Sequence, residues 1–238
     1  MLAIYKREML SYFTSPIGYV FMGVFLAVSG FIFSLATLQQ GVDSDVGTYF
    51  TIMLFVFVVV IPLLTMKSFS EERRSRTEQL LLTSPVSLFG MVFGKFLAAY
   101  TMFAITYIAS CFNYIALYKF GNPNTGQLVG YSIAILLIGA AFVSVGIFIS
   151  SLTENQIIAA IGTIAVILIF LLASFLNQYI DVYAIRAVLS WISVYSRFGN
   201  FTHGVFDFNA VLYYFSISGV FLFRSEEHTS ELQSLAYL

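Results

Sequence analysis

Five apolar runs, each close to twenty residues or longer, dominate this chain: residues 17–38, 49–66, 88–117, 128–151 and 156–176. A helix needs roughly 20 apolar residues to cross about 30 Å of hydrocarbon. Runs of this length, repeated with short polar breaks, describe a chain whose solvent is a bilayer. Composition agrees. The chain is 59% hydrophobic, 18% aromatic and only 10% charged, with a mean hydropathy of +0.90. A soluble chain needs more polar surface than this. The sequence therefore reads as an all-α polytopic membrane protein, a six-span bundle occupying residues 1–223. Its sixth span, residues 210–223, is cut short.

The segments between the runs carry the polar information. Residues 1–14, MLAIYKREMLSYFT, set Leu2, Tyr5, Met9, Tyr12 and Phe13 at roughly helical spacing, with Lys6, Arg7 and Glu8 between them. That pattern predicts an amphipathic helix lying in the membrane interface. Ser15-Pro16 ends it, because proline disfavours helix in the residue before it. Residues 177–209 are interrupted by Asp181, Arg186, Arg197, His203 and Asp207, and hold no run long enough to cross. Short interfacial or re-entrant helices are expected there, packed in protein where they are deep. Residues 224–238 begin RSEEHTSELQS, which resembles the translated read-through of a sequencing adapter, and they are set aside from the functional reading.

Basic residues near span ends orient a bundle. With the N-terminus inside, the inner face holds Lys6, Arg7, Lys67, Arg73, Arg74, Arg76 and Lys95, and the outer face holds Lys119, Arg186 and Arg197. The N-terminus and the segment after the second span are thus expected in the cytoplasm.

That segment, KSFSEERRSRTEQLLLTSP, places six charges in the eight residues 71–78 and follows them with Leu80, Leu81 and Leu82. Ser68 and Glu71 match a capping box, so a helix is expected to begin near Phe69. Glu72 with Arg76, and Glu71 with Arg74, have the spacing of helical ion pairs. The charges nearly cancel, which argues against a basic patch for anionic lipid. Two readings stay open on spacing alone: a solvated loop obeying the positive-inside rule, or a helix whose leucines enter a groove on another protein.

Glu71-Glu72-Arg73, Thr77-Glu78, Leu81-Leu82, Ser84-Pro85 and Gly94-Lys95 resemble the first cytoplasmic loop of ABC-2 type transporter permeases, although Arg76 stands where many members have glycine. The opening KREMLSYFTSPIGYV and the later HGVFDFNAVLYY are similar to one branch of that family, which includes permeases associated with gliding motility and with nitrous-oxide-reductase maturation. The resemblance implies a permease subunit of the bacterial inner membrane that is not itself an enzyme and binds no nucleic acid. It implies a separate ABC ATPase subunit holding ATP and magnesium, a second permease copy or a related permease, and contact with membrane lipid. It implies that Glu71, Glu72, Arg73, Arg74, Arg76, Thr77, Glu78, Leu81 and Leu82 form a coupling helix seated in the ATPase, with the N-terminal helix against it.

The remaining residues add little chemistry. No G-x-x-x-x-G-K-[ST] phosphate loop occurs. His203 alone makes no metal site. Cys111 reads as a small buried hydrophobe. Glu154, in the turn LTEN between the fourth and fifth runs, is a candidate second coupling point as well as a plain turn charge. Trp191, Tyr183 and Tyr195 fit an interfacial aromatic belt. Asn113, Ser144 and Thr163 fall within spans and are expected to hydrogen-bond between helices. An anchor or scaffold that transports nothing, and an ion-driven secondary transporter, are the alternative functions. The lack of ionisable groups deep in the spans disfavours the second.

Overall fold

The computed structural model describes residues 1–38, 46–75, 87–120, 123–177, 180, 182–199, 201 and 207–236. Among these, every regular element is helical. Helix α1 (Leu2–Thr14) is followed by α2 (Pro16–Phe33), which starts on proline and closes in a π turn at Ser34–Leu38. Proline suits the first helical turn because its missing N–H would have no partner there. Then come α3 (Val46–Thr65), the short α4 (Ser70–Arg74) and α5 (Leu88–Ser110). The chain continues through α6 (Asn113–Phe120), α7 (Thr125–Leu152) and α8 (Gln156–Leu176). Two short helices, α9 (Tyr183–Ile192) and α10 (Val194–Phe198), precede α11 (Phe208–Ala236).

Among the described residues, five helical stretches are long and apolar enough to cross a membrane: Pro16–Thr37, Val46–Arg74, Leu88–Lys119, Thr125–Leu152 and Gln156–Leu176. They coincide with the five apolar runs. The sixth run lies in α11, whose apolar part stops at Arg224, just under the roughly 17 residues that a crossing takes at minimum. The helix itself continues through the polar tail to Ala236.

Successive long helices run in opposite directions. At one end lie α1, α4, the start of α5 and the α7–α8 turn. At the other lie α9, α10 and the start of α11, where the Tyr214 hydroxyl donates to the Val194 carbonyl at 3.1 Å. The core helices are α3, α5 and α7, with 61%, 56% and 61% of an apolar 18-residue stretch buried, against 33% for α2 and 28% for α8. Two glycines one heptad apart set the close packing of α7. A Cβ on Gly139 would stand 2.1 Å from Phe103 Cε1, and one on Gly146 would stand 2.2 Å from Thr65 Oγ1. Small residues at such crossings let backbones approach where lipid supplies no hydrophobic drive. Phe25, Phe57 and Phe103 fill the adjoining space, with ring centroids 6.1 and 5.3 Å apart along that order.

One local expectation fails, and one span is interrupted. The span over residues 88–117 stands, but within it α5 ends at Ser110 and α6 begins at Asn113. The buried Ser110 hydroxyl donates to the Tyr107 carbonyl at 2.6 Å, and the Cys111 N–H is shared between the carbonyls of Tyr107 and Ile108. This tightens the last turn, and α6 resumes with Tyr107 and Tyr114 joined through their hydroxyls at 2.9 Å. The failed expectation concerns Ser144 and Thr163, which do not bond between helices. Their hydroxyls donate to Ala141 and Ala159, one turn back on their own helices. A carbonyl one turn back is always within reach of a serine or threonine hydroxyl, so burial there needs no neighbour. Ser29 and Tyr49 do join two helices, α2 and α3, at 2.8 Å.

Candidate coupling face

The end that gathers α1, α4 and the start of α5 is held by one buried cation. Lys95, in the second turn of α5, is 1% exposed. Its ammonium meets Glu8 Oε1 of α1 at 3.1 Å, Glu72 Oε2 of α4 at 2.9 Å and the Ser68 carbonyl at 2.6 Å. Three donors thus find three acceptors, which satisfies a lysine completely. The Phe69 ring lies 4.9 Å below the same nitrogen. Arg7 Nη2 completes the cluster, 2.5 Å from Glu8 Oε1 and 2.5 Å from Glu72 Oε1.

Geometry around Lys95 depends on its neighbour. A Cβ on Gly94 would come within 3.3 Å of both Ile4 Cγ2 and the Met1 carbonyl, so glycine there lets α1 lie against α5. The adjacent lysine then reaches the acid that α1 carries. Burial alone would push the Glu8 carboxyl upward, but Lys95 and Arg7 outweigh it and hold Glu8 below the usual carboxylate range. Burial likewise works against charge on Arg7, and the two glutamates reverse that, holding its pKa above the ordinary value.

Helix α4 begins one residue later than the capping box implies, and differently. Its N-cap is Phe69, without a side-chain cap from its own segment. Ser150, fully buried on α7, takes that role: its Oγ accepts from the N–H groups of Phe69 at 3.0 Å and Ser70 at 3.2 Å, and donates to the Met66 carbonyl at 3.2 Å. The hydroxyl that satisfies the helix start therefore comes from a different helix, and it ties α4 to α7. Glu71 faces Lys67 at 3.5 Å, and Glu72 turns to Lys95 and Arg7. Arg73 and Arg74 form the last turn of α4. Arg76, Thr77, Glu78, Leu81 and Leu82 lie outside the described residues.

Ser150 stands four residues ahead of Glu154. Glu154 is exposed in the turn between α7 and α8, where Asn155 caps α8 by accepting from the Ile157 N–H at 2.9 Å. Both sequence-derived coupling points, α4 and this turn, are therefore on one end of the bundle. A cleft of about 290 Å³ opens beside them, lined by Arg7, Glu8, Lys67, Glu71, Glu72 and Lys95 among others.

A family model described as "ABC-2 family transporter protein" matches residues 3–190. The chain belongs to the ABC-2 transporter family. It is an ABC transporter permease, a multi-pass membrane protein of the class that generally works with an ABC ATPase and is not itself catalytic. No curated protein matches the sequence significantly.

Sequence reasoning placed Arg7 and Glu8 on the polar side of the N-terminal helix and Lys95 among the inner-face charges and the Gly94-Lys95 motif, but paired none of them, and it gave Ser150 no role. A signal for Lys95 was present: one lysine stands directly after a glycine inside a long apolar run. A charge placed there has to find acids, and Glu8 and Glu72 lie in the two nearest polar segments. Nothing comparable marks Ser150, one of many serines in the spans. At the opposite end, Arg197 pairs with no carboxylate among the described residues; its Nη1 donates to the carbonyls of Trp191 at 2.9 Å and Ser193 at 3.2 Å.

Proposed function

We propose that this ABC-2 permease is the membrane subunit of an ATP-driven exporter, and that α4 with the leucines after it is the lever on which a separate ATPase acts. The observation that carries the reading is the Lys95 cluster. Through it α4 is joined to α1 and α5, and through Ser150 to α7. A displacement of α4 would pull on two of the three core helices at once, and α1 would move with it as a connecting helix. The Glu154 turn sits on the same face and supplies the second contact.

The reading includes the orientation that the basic residues favour, with this end in the cytoplasm of a bacterial inner membrane. It includes a pathway formed by two permeases, as a homodimer or with a related permease. It also takes the chain to stand beside the gliding-motility permeases, which its opening and closing motifs resemble. A source of energy outside the membrane also fits the spans, where Lys95 is, among the described residues, the buried charge of the core and is neutralised at the membrane end. Transporters driven by ion gradients use ionisable groups or broken helices near mid-membrane.

The test is to purify the permease from its native membrane and assay the ATPase that accompanies it. Substituting Arg73→Ala, Arg74→Ala and Glu78→Ala together should leave the bundle folded and reduce permease-dependent stimulation of ATP hydrolysis at least tenfold. Full stimulation by the triple variant would show that this helix is not the lever.

A further inference from the structure

At the end opposite the Lys95 cluster, α8, α9 and α11 enclose a slot of about 490 Å³. This lies in the range of small-ligand pockets, roughly 300–1,000 Å³. Its two ends differ in chemistry. Phe170, Ile217, Val220 and Phe221 line the part that runs toward the middle of the bundle. Arg197 and Asn209 stand at the mouth, and among the described residues no carboxylate lines the slot.

Arg197 is held in place before any ligand arrives. Its Nη1 is fixed by the carbonyls of Ser190, Trp191 and Ser193 at 3.4, 2.9 and 3.2 Å, which caps the end of α9. Its guanidinium lies 3.7 Å from the Tyr213 ring centre, and Tyr213 is fixed in turn by donating to the Ile192 carbonyl at 2.6 Å. Among the described residues, neither Nε nor Nη2 has a partner. A planar cation with its remaining donors free suits a phosphate oxygen.

The length of the slot identifies what fills it. From Asn209 to Phe221, α11 rises about 18 Å at 1.5 Å per residue. Half of the roughly 30 Å hydrocarbon core is about 15 Å, so the slot is as deep as one leaflet. The geometry points to a binding site for a phospholipid with an anionic headgroup, its phosphate on Arg197 and one acyl chain along α11. The site belongs to the leaflet on the α9 side. It is independent of the coupling face and holds whichever way the bundle is driven.

Trp191 is the chain's single tryptophan, and it lines this slot. The residue is 72% exposed, so its fluorescence reports lipid at the mouth of this slot above a background from bulk lipid, which the phosphatidylcholine arm measures. The full chain is reconstituted in phosphatidylcholine vesicles, and bromine-labelled phosphatidylglycerol is compared with bromine-labelled phosphatidylcholine at equal mole fraction. One favourable cation near a membrane surface gives an expected preference of about fivefold for the anionic lipid. Arg197→Gln should abolish the preference. Ser216→Phe, which fills the slot and leaves the α9 cap intact, should reduce quenching by the anionic lipid to the phosphatidylcholine level. Equal quenching by both lipids in the parent chain would mean ordinary boundary lipid and would overturn the proposal. So would a preference that survives Arg197→Gln, or a Trp191 that neither lipid quenches because protein covers it.

Discussion

Replacing Lys95 with methionine keeps the length of the side chain and removes the ammonium. Glu8 and Glu72 would then face each other with only Arg7 between them, and the Ser68 carbonyl would lose its donor. Removing one partner of a buried ion pair costs about 3–5 kcal/mol, because the other charge stays buried. Arg7 still touches both carboxylates, so the expected loss is about 3 kcal/mol, at the lower end of that range. For a chain of this size 1 kcal/mol shifts Tm by about 2–4 °C, which puts Lys95→Met about 6–12 °C below the parent. The readout is thermal unfolding in detergent, followed by a thiol-reactive dye on Cys111, the only cysteine. Adding Glu72→Gln removes one of the stranded charges. The double variant should recover at least about 1 kcal/mol of the loss, since directly interacting residues couple by 0.5–3 kcal/mol. A Lys95→Met protein that melts within 2 °C of the parent, or strictly additive substitutions, would refute the idea that this lysine holds the coupling face together.

Three further outcomes follow from the same geometry. Ser150→Ala leaves the N–H groups of Phe69 and Ser70 without their acceptor, and should cost about 1–2 kcal/mol, seen as a lower Tm and faster proteolysis near α4. Gly146→Ala gains about 1 kcal/mol of helix propensity but forces a Cβ onto Thr65, so the overlap should win and the variant should melt lower than the parent. A Gly146→Ala protein that melts higher would mean that α3 and α7 pack less closely than described. The depressed Glu8 pKa sets a pH dependence. Its contribution to folding is complete above the unfolded glutamate value of about 4.3 and is lost as pH falls through the lower folded value. Melting curves should therefore be flat from pH 6 to 8 and fall below about pH 4.5, with a shallower fall in Glu8→Gln.

The spans were legible because lipid imposes one simple demand, a long apolar helix, and the five runs meet it with boundaries close to those observed. The break at Ser110 was not legible, because it depends on where a hydroxyl points within an apolar run. The capping box was a real pattern with the wrong owner. Ser68 has the right spacing, but its carbonyl is occupied by Lys95, and Ser150 reaches the helix start from a segment some 80 residues away. Pattern rules see only neighbours in sequence. For the same reason Glu72 read as part of a helical charge ladder, while its fold places it between two cations from other helices. The lysine hub needs three segments brought together, and only the fold does that.

The central claim is that the Lys95 end faces the cytoplasm, where an ATPase can reach it, and the α9 end faces outward. Single cysteines at Glu154 and at Asn209, in a chain carrying Cys111→Ser, test both ends with a membrane-impermeant maleimide on intact cells. The expected result is labelling at position 209 and none at position 154 until the membrane is opened. Labelling at 154 in intact cells, with 209 protected, would contradict the account.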